Sequence, residues 1–305
     1  MTIIQTGINY SYNVLQSDIE KLKGNYSFLQ LGNIGYSVLG KQIPYLRFGN
    51  GVKEIMYFAS IHANEWITSP LLMKFLEDLC ESYLNNSTIY GYSASYLFSR
   101  VSLYIVPMLN PDGVDLVTGA IKPNTSIYES FKAIANNYPD IPFPKGWKAN
   151  FNGVDLNLQF PAGWQKAKEI KYSQGFNKPA PRDFVGFGPL TEPESLAIYN
   201  FTLIHNFELT ISYHTQGKEI YWQFQNYAPK YAEEIGKIFA SVSSYTLTQP
   251  VFNSSFAGYK DWFIQNYKLP GYTIEAGFGQ NPLPITQFNE IYTNNLGILV
   301  LGLVL

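Results

Sequence analysis

Two apolar runs limit what this chain can fold into. Glu54 to Ile61 (EIMYFASI) and Arg100 to Met108 (RVSLYIVPM) are rich in β-branched and aromatic residues and predict buried strands. Between them, Glu65 to Tyr83 (EWITSPLLMKFLEDLCESY) carries apolar residues at helical spacing. Residues Tyr12 to Tyr26 predict a short helix, and Leu29 to Phe48 a β-meander punctuated by Gly32, Gly35, Gly40 and Pro44. Downstream, helices over 192–206, 227–244 and 258–267 are expected among strands over 207–213, 219–224 and 271–276. Asn110-Pro111-Asp112-Gly113 is a strong turn signal. Residues Ala120 to Pro189, dense in Pro, Gly, Asn and aromatics, are expected to be mostly loop, and so long a loop in a compact domain is usually functional. The alternation predicts an α/β fold with a sheet of mixed direction and helices on both faces.

The first strand runs into its helix through Ser60-Ile61-His62-Ala63-Asn64-Glu65-Trp66. Histidine and glutamate three residues apart can bind one metal ion if the backbone bends between them, and a strand-to-helix junction supplies the bend. The carboxyl ends of strands in α/β sheets open onto the crevices where ligands bind. The same two residues also fit a turn histidine and an acid facing the helix dipole. The chain holds 3 histidines. His214 ends the alternating run Phe207 to Tyr213 (FELTISY), again at a strand end, whereas His205 lies near the end of a helix and reads as a packed or capping residue. Two histidines, a glutamate and a water form a standard catalytic zinc set.

Composition removes several alternatives. With 305 residues the chain can bury a large core, and a net charge of −2 with no run of like charges argues against nucleic acid or an anionic membrane surface as partner. One cysteine, Cys80, excludes an intrachain disulfide, and its place on the apolar helix face predicts a core residue. The N-terminal MTIIQTGINYSYN has neither a basic nor an apolar signal-peptide region, which makes the cytoplasm the default compartment. The C-terminal Leu296 to Leu305 (LGILVLGLVL) is too short to span a bilayer and is expected to pack a terminal helix on the sheet.

In order and approximate spacing, His62 and Glu65, the Asn110-Pro111-Asp112-Gly113 turn, Gly153-Val154-Asp155-Leu156-Asn157, His214 and Thr273-Ile274-Glu275 resemble the zinc metallocarboxypeptidases across nearly the whole chain. Further stretches are similar to one branch, the bacterial γ-D-glutamyl-diamino acid peptidases that cut cell-wall peptides. These are Trp147-Lys148-Ala149-Asn150, Asn157 to Ala162 (NLQFPA), Tyr213 to Gly217 (YHTQG), Ala257 to Trp262 (AGYKDW) and Asn281-Pro282-Leu283-Pro284. The resemblance implies a three-layer α/β/α fold with a mixed central sheet, here a single catalytic domain over residues 1–305 without LysM repeats. It implies one zinc per chain on His62, Glu65 and His214, and murein stem peptides as substrate. It makes Glu275 the general base that takes a proton from the zinc-activated water and passes it to the leaving amine. Glu275 stands on an apolar strand, where a carboxylate is costly unless it is paired or kept for chemistry. Asp155 becomes the carboxylate that holds the ring N–H of His62. Lys148 stands where family members have an arginine that steadies the oxyanion; lysine keeps the charge and loses the fork.

The sequence departs from the family at Leu158. Ordinary carboxypeptidases have Asn-Arg where this chain has Asn157-Leu158, and that arginine clamps a free α-carboxylate. Asn157 stays a substrate-binding expectation, and Lys260, at the position that selects side chains in digestive members, is a second one, matched to the side-chain carboxylate of diaminopimelate. Asn253 falls where those members have a mobile tyrosine, with Tyr259 nearby. The reading is a zinc peptidase cutting the γ-D-glutamyl–diamino acid bond. Its rivals are an ordinary metallocarboxypeptidase for α-linked peptides and a non-catalytic peptide-binding module of the same fold.

Overall fold

In strand β3 (Lys53–Ala59), Ile55, Tyr57 and Ala59 pack on one face and Met56 and Phe58 on the other, all buried. A strand buried on both faces belongs in the middle of a sheet covered on both sides. The computed structural model, which describes residues 2–305, places it there. The other strands of this sheet and of a small hairpin are β1 (Gln30–Tyr36), β2 (Gln42–Phe48), β4 (Thr88–Ile89), β5 (Tyr92–Ser93), β6 (Val101–Val106), β7 (Phe207–His214), β8 (Glu219–Tyr221), β9 (Thr246–Thr248) and β10 (Gly271–Glu275). Strands β4 and β5 form the separate hairpin; the 8-stranded sheet runs β1-β2-β6-β3-β7-β10-β8-β9. The central β6, β3, β7 and β10 are parallel, β1, β2 and β8 pair antiparallel to their inner neighbours, and β9 is parallel to β8. The sheet is mixed, as expected.

Helices cover both faces. One layer holds Tyr12–Asn25, Thr68–Leu84, Ala232–Ser243 and Phe288–Val304, which bury Leu15, Leu71, Phe75, Cys80, Phe239 and Ile298 against the sheet. The other holds Pro193–Leu203 and Tyr259–Tyr267, which bury Ile198, Phe201, Trp262 and Phe263. Each such side chain contributes about 1.5–3 kcal/mol on full burial, so both layers are firmly seated. No helix among the described residues is long and apolar enough to cross a membrane.

The segment 120–189 is mostly loop, as expected, and two helices stand within it, Ser126–Ala135 and Trp164–Ser173. Thr125 caps the first, accepting from the N–H of Tyr128, and Gly163 starts the second from a left-handed conformation. Asn110-Pro111-Asp112-Gly113 opens a helix, Pro111–Val117, rather than an isolated turn. Asn110 caps it through the Gly113 N–H, and proline at the first helical position loses no hydrogen bond. Elsewhere the differences are at ends: the helix expected from Glu65 starts at Thr68 after a 3-10 turn over Ala63–Glu65, and β8 stops at Tyr221.

Helix Pro193–Leu203 also fastens the loop that leads to Asp155. The buried Glu194 accepts from the Val38 N–H (3.1 Å) and Asn150 Nδ2 (3.1 Å), while Asn150 Oδ1 accepts from the N–H groups of Asn152 and Val154. Burial pushes the Glu194 carboxyl from the ordinary 4.5 up to about 7, against the pull of those bonds. The folded protein therefore keeps a proton that the unfolded chain releases, and stability falls as pH rises through that window. Glu194→Gln cannot ionise. Denaturant unfolding below and above the window should show a decline in the wild type, by up to ~3 kcal/mol, and a flatter profile in the variant. Equal slopes would assign the titration to another group.

Candidate active site

The site forms where the strand order changes sense. The chain leaves β3 for β6 on one side, while β7 and β10 lie on the other, so the carboxyl ends of β3 and β7 stand at a topological switch point, where α/β sheets bind ligands. After β3 the chain turns sharply at Ser60, whose φ of 50° is left-handed. The bend is held by its own polar groups: the Ser60 N–H donates to Thr68 Oγ1 (3.1 Å), and the two hydroxyls of Ser60 and Ser69 are 2.7 Å apart. His62 and Glu65 follow within a tight 3-10 turn. Asn110 clamps this turn to the loop carrying Lys148, since its Nδ2 faces the carbonyls of Ile61, Lys148 and Ala149 at 3.3, 3.3 and 2.9 Å. Gly113 sits so close beneath that a Cβ there would lie 2.7 Å from both Ala63 Cβ and Ala149 O.

His214 ends β7, and in the parallel register it lies directly beside Glu275 at the end of β10. His62, Glu65 and His214 converge. His62 Nδ1 is 3.0 Å from Glu65 Oε1, His214 Nδ1 is 2.9 Å from Glu65 Oε2, and the two Nδ1 atoms are 3.2 Å apart. All three side chains are buried. Burial alone would raise the Glu65 carboxyl, but His62, Lys148 and His214 hold it well below the usual range. Asp155 Oδ1 lies 3.0 Å from His62 Nε2 and accepts its proton, while Oδ2 accepts from the Asp183 N–H. That bond leaves Nδ1 of His62 bare and turned toward Glu65 and His214.

Three Lewis-basic atoms gathered this tightly need a cation among them. Tetrahedral zinc with ligands at about 2.0–2.1 Å places neighbouring donors roughly 3.3 Å apart, close to the separations found. Among the described residues this is also the group of His, Cys, Asp and Glu side chains whose ligand atoms lie close enough to share an ion. The residues fit zinc. His214 Nε2 is buried with no protein partner; the orienting bond that Asp155 gives His62 has no counterpart there.

Beside the three ligands opens a cavity of about 290 Å³ lined by Lys148, Asn157, Leu158, Lys260 and Glu275 among others. The remaining expected residues therefore meet in one place. Burial, then the charge of Glu65, pushes the Glu275 carboxyl up to about 8, with Lys148 and His62 pulling the other way. Lys148 is no solvated surface lysine: its ammonium stands 3.1 Å from Glu65 Oε1. Nor is Lys260 on the helix surface; it is buried, donates to Gln223 O (2.7 Å) and pairs with Asp261 Oδ1 (2.6 Å). Asn157 Oδ1 accepts from the Tyr259 N–H, which leaves its Nδ2 for the cavity. Leu158 packs against Ala167, Val185 and Ala257. Tyr259 is a core residue with its hydroxyl on Thr202, and Asn253 lies in an exposed 3-10 turn. His205 is remote, bonded to Glu54.

Sequence reasoning missed Lys171, Arg182, Asp183 and Tyr221, which line the same cavity. Lys171 Nζ and Arg182 Nε both donate to Asp183, at 2.5 and 2.6 Å. Arg182 and Asp183 lie in a Pro-rich loop, Lys171 in the helix Trp164–Ser173 before it and Tyr221 at the end of β8, so no local signal marked them as a group.

A two-histidine, one-carboxylate donor set at the ends of parallel strands, with a raised carboxyl beside it, defines a metal-dependent hydrolase centre. The chain belongs to the zinc carboxypeptidase family, whose model matches residues 15–297, and it is a zinc metallopeptidase. It is 46% identical over 297 residues to gamma-D-glutamyl-L-diamino acid endopeptidase 1 of Lysinibacillus sphaericus, covering 97% of this chain and 73% of that one. It is 39% identical over 292 residues to the uncharacterized protein YqgT of Bacillus subtilis (strain 168), covering 95% and 76%. Among solved structures, thrombin-activatable fibrinolysis inhibitor superposes with a TM-score of 0.70 at 20% identity over 96% of this chain and 73% of that one. Murein-tripeptide amidase MpaA from Escherichia coli O157 does so with a TM-score of 0.54 at 19% identity over 88% and 91%. Both show the shared fold.

If Asp155 orients His62, Asp155→Ala should weaken zinc binding about 10–100-fold, read by competition with a chelator. Unchanged affinity would show that the turn positions His62 unaided.

Proposed function

We propose that this chain hydrolyses the amide bond between γ-D-glutamate and a diamino acid in murein stem peptides, with residues 1–305 acting as one catalytic unit. The observation that carries this reading is Leu158. It fills an apolar niche in the cavity wall at the position where ordinary carboxypeptidases of the family keep an arginine for the terminal α-carboxylate. The relative with 46% identity, named for cleavage of this linkage, supports it.

His62, Glu65 and His214 hold the zinc, which when bound polarises the scissile carbonyl and makes water a stronger nucleophile. Glu275 lines the cavity beside His214, and its raised pKa suits proton transfer near neutral pH. It takes a proton from the attacking water as the oxygen bonds to the carbonyl carbon. It then delivers that proton to the amide nitrogen as the C–N bond breaks, releasing a carboxylate and an amine. Lys148, held among carboxylates, supplies a point charge that steadies the oxyanion. Asn157 offers its amide N–H groups to the substrate. Lys260 and Asp261 form a buried cation–anion pair in the cavity wall. Such a pair complements the zwitterionic end of the diaminopimelate side chain, with carboxylate toward Lys260 and ammonium toward Asp261, better than the lone ammonium of lysine.

Two outcomes test the reading. Glu275→Gln should retain zinc yet lose ~10²-fold or more in kcat; turnover near the wild-type rate would make Glu275 structural. In kcat/KM, γ-D-Glu-diaminopimelate peptides should be cut in clear preference to α-L-Glu-linked analogues, because misplacing the carbonyl costs large factors in rate. The diaminopimelate peptide should also exceed its lysine counterpart, and Lys260→Ala should erase that margin. Equal rates on α and γ linkages would return the chain to ordinary carboxypeptidase action.

A further inference from the structure

Every lysine lining the catalytic cavity is paired with a carboxylate of the protein and largely buried. Lys148 stands on Glu65, Lys171 on Asp183 and Lys260 on Asp261, with side chains 17, 8 and 6% exposed. Arg182 differs. Its side chain is 44% exposed, and Nε alone is bonded, to Asp183 Oδ2. A guanidinium has five N–H donors in a planar fork, so the edge bearing both terminal nitrogens is left for a ligand.

Its position is rigidly set. The carbonyl of Pro181, just before it, accepts from the N–H groups of Lys148 and Ala149 at 2.8 and 2.9 Å. The N–H of Asp183, just after it, donates to Asp155 Oδ2 at 3.2 Å. The same Asp155 holds His62, so the backbone on both sides of Arg182 is tied to the metal-binding turn and its neighbour. Asp183 then receives both Arg182 Nε and Lys171 Nζ, which fixes the plane of the fork. Arg182 also stands on a ridge: with Lys148 and Gln216 it lines both the catalytic cavity and a second cavity of about 660 Å³ whose wall includes Lys145. It is the arginine in either lining.

We infer that Arg182 is a specificity-determining residue that receives the free α-carboxylate of the γ-linked glutamate. This rests on the γ-D-glutamyl reading above. In such a substrate the carboxylate lies at the end of a short alkyl arm from the scissile carbonyl, on the acyl side. A fork anchored beside the zinc ligands and facing a second cavity meets it there, with the preceding residue of the peptide continuing into that cavity. An arginine paired edge-on with a carboxylate gives two parallel charge-assisted bonds. Amidation of that carboxylate, which makes isoglutamine, removes the charge and turns one acceptor into a donor facing other donors.

The test is kcat/KM on L-Ala-γ-D-Glu-diaminopimelate and on its isoglutaminyl amide, with wild-type enzyme, Arg182→Ala and Arg182→Lys. Wild type should favour the acid about 10–100-fold, the scale of a lost hydrogen bond to a charged group. Arg182→Ala should lose that factor on the acid alone, chiefly in KM, and Arg182→Lys should recover part of it. Zinc content and unfolding midpoint establish that each variant is folded and loaded, and Arg182→Lys stands in for the alanine variant if the latter does not fold. Equal wild-type rates on acid and amide, or equal losses on both substrates in the variants, would overturn the assignment while leaving γ-D-glutamyl cleavage in place. Cleavage of neither γ-linked peptide by zinc-loaded wild type would remove the reading itself, and the role of Arg182 with it.

Discussion

The bond between Asp155 and the far nitrogen of His62 decides what the near nitrogen can do. Once Nε2 carries the proton toward Asp155, Nδ1 is a lone pair, and it points at Glu65 and at the Nδ1 of His214. Gathering such atoms is unfavourable without a cation, so the scaffold has to hold them. It does so through a turn with little freedom: left-handed Ser60, the serine and threonine hydroxyls around it, and the three carbonyls drawn together by Asn110. Those contacts explain why a segment far from catalysis in sequence, the start of helix Pro111–Val117, belongs to the site.

Outward from the zinc-binding residues the charges alternate. Glu65 faces Lys148, Asp155 faces His62, and Asp183 faces both Lys171 and Arg182. Burying any of these alone would cost several kcal/mol, so each is tolerable because its neighbour is present. Glu275 is the exception. No protein cation is bonded to it, and burial beside Glu65 raises its pKa. The structure thus concentrates its least comfortable carboxylate where a proton has to move.

Much of this was legible beforehand because periodicity and strand ends are local signals. The strand–helix alternation announced the mixed α/β sheet, and His62, Glu65, His214 and Glu275 each stood at or near a strand terminus that opens onto the same edge. What the sequence misread was also local in cause. Proline and asparagine at 110–113 signal a turn and a helix start alike, and here Asn110 caps a helix whose Gly113 fits closely against Ala63 and Ala149. The stretch 120–189 hid two helices because the glycines, prolines and asparagines around them dominate its composition, although Ile127, Phe131 and Ile134 do recur at helical spacing within Ser126–Ala135.

By itself the sequence determined the class of sheet, the covering of both faces and the metal-binding residue types at strand ends, since these follow from the period of hydrophobic burial and from the chemistry of histidine and carboxylate. Tertiary structure alone decided the charge pairing. Lys260, expected to meet the substrate, proves to be buried and paired with Asp261. Lys148 proves to stand on a ligand of the metal. Arg182 passed unnoticed, yet it faces the cavity with an unbonded edge. The reason is physical: burial pattern is written along a single element, whereas the partner of a charge comes from whichever distant loop the fold brings within about 3 Å, and no spacing in the chain encodes that distance.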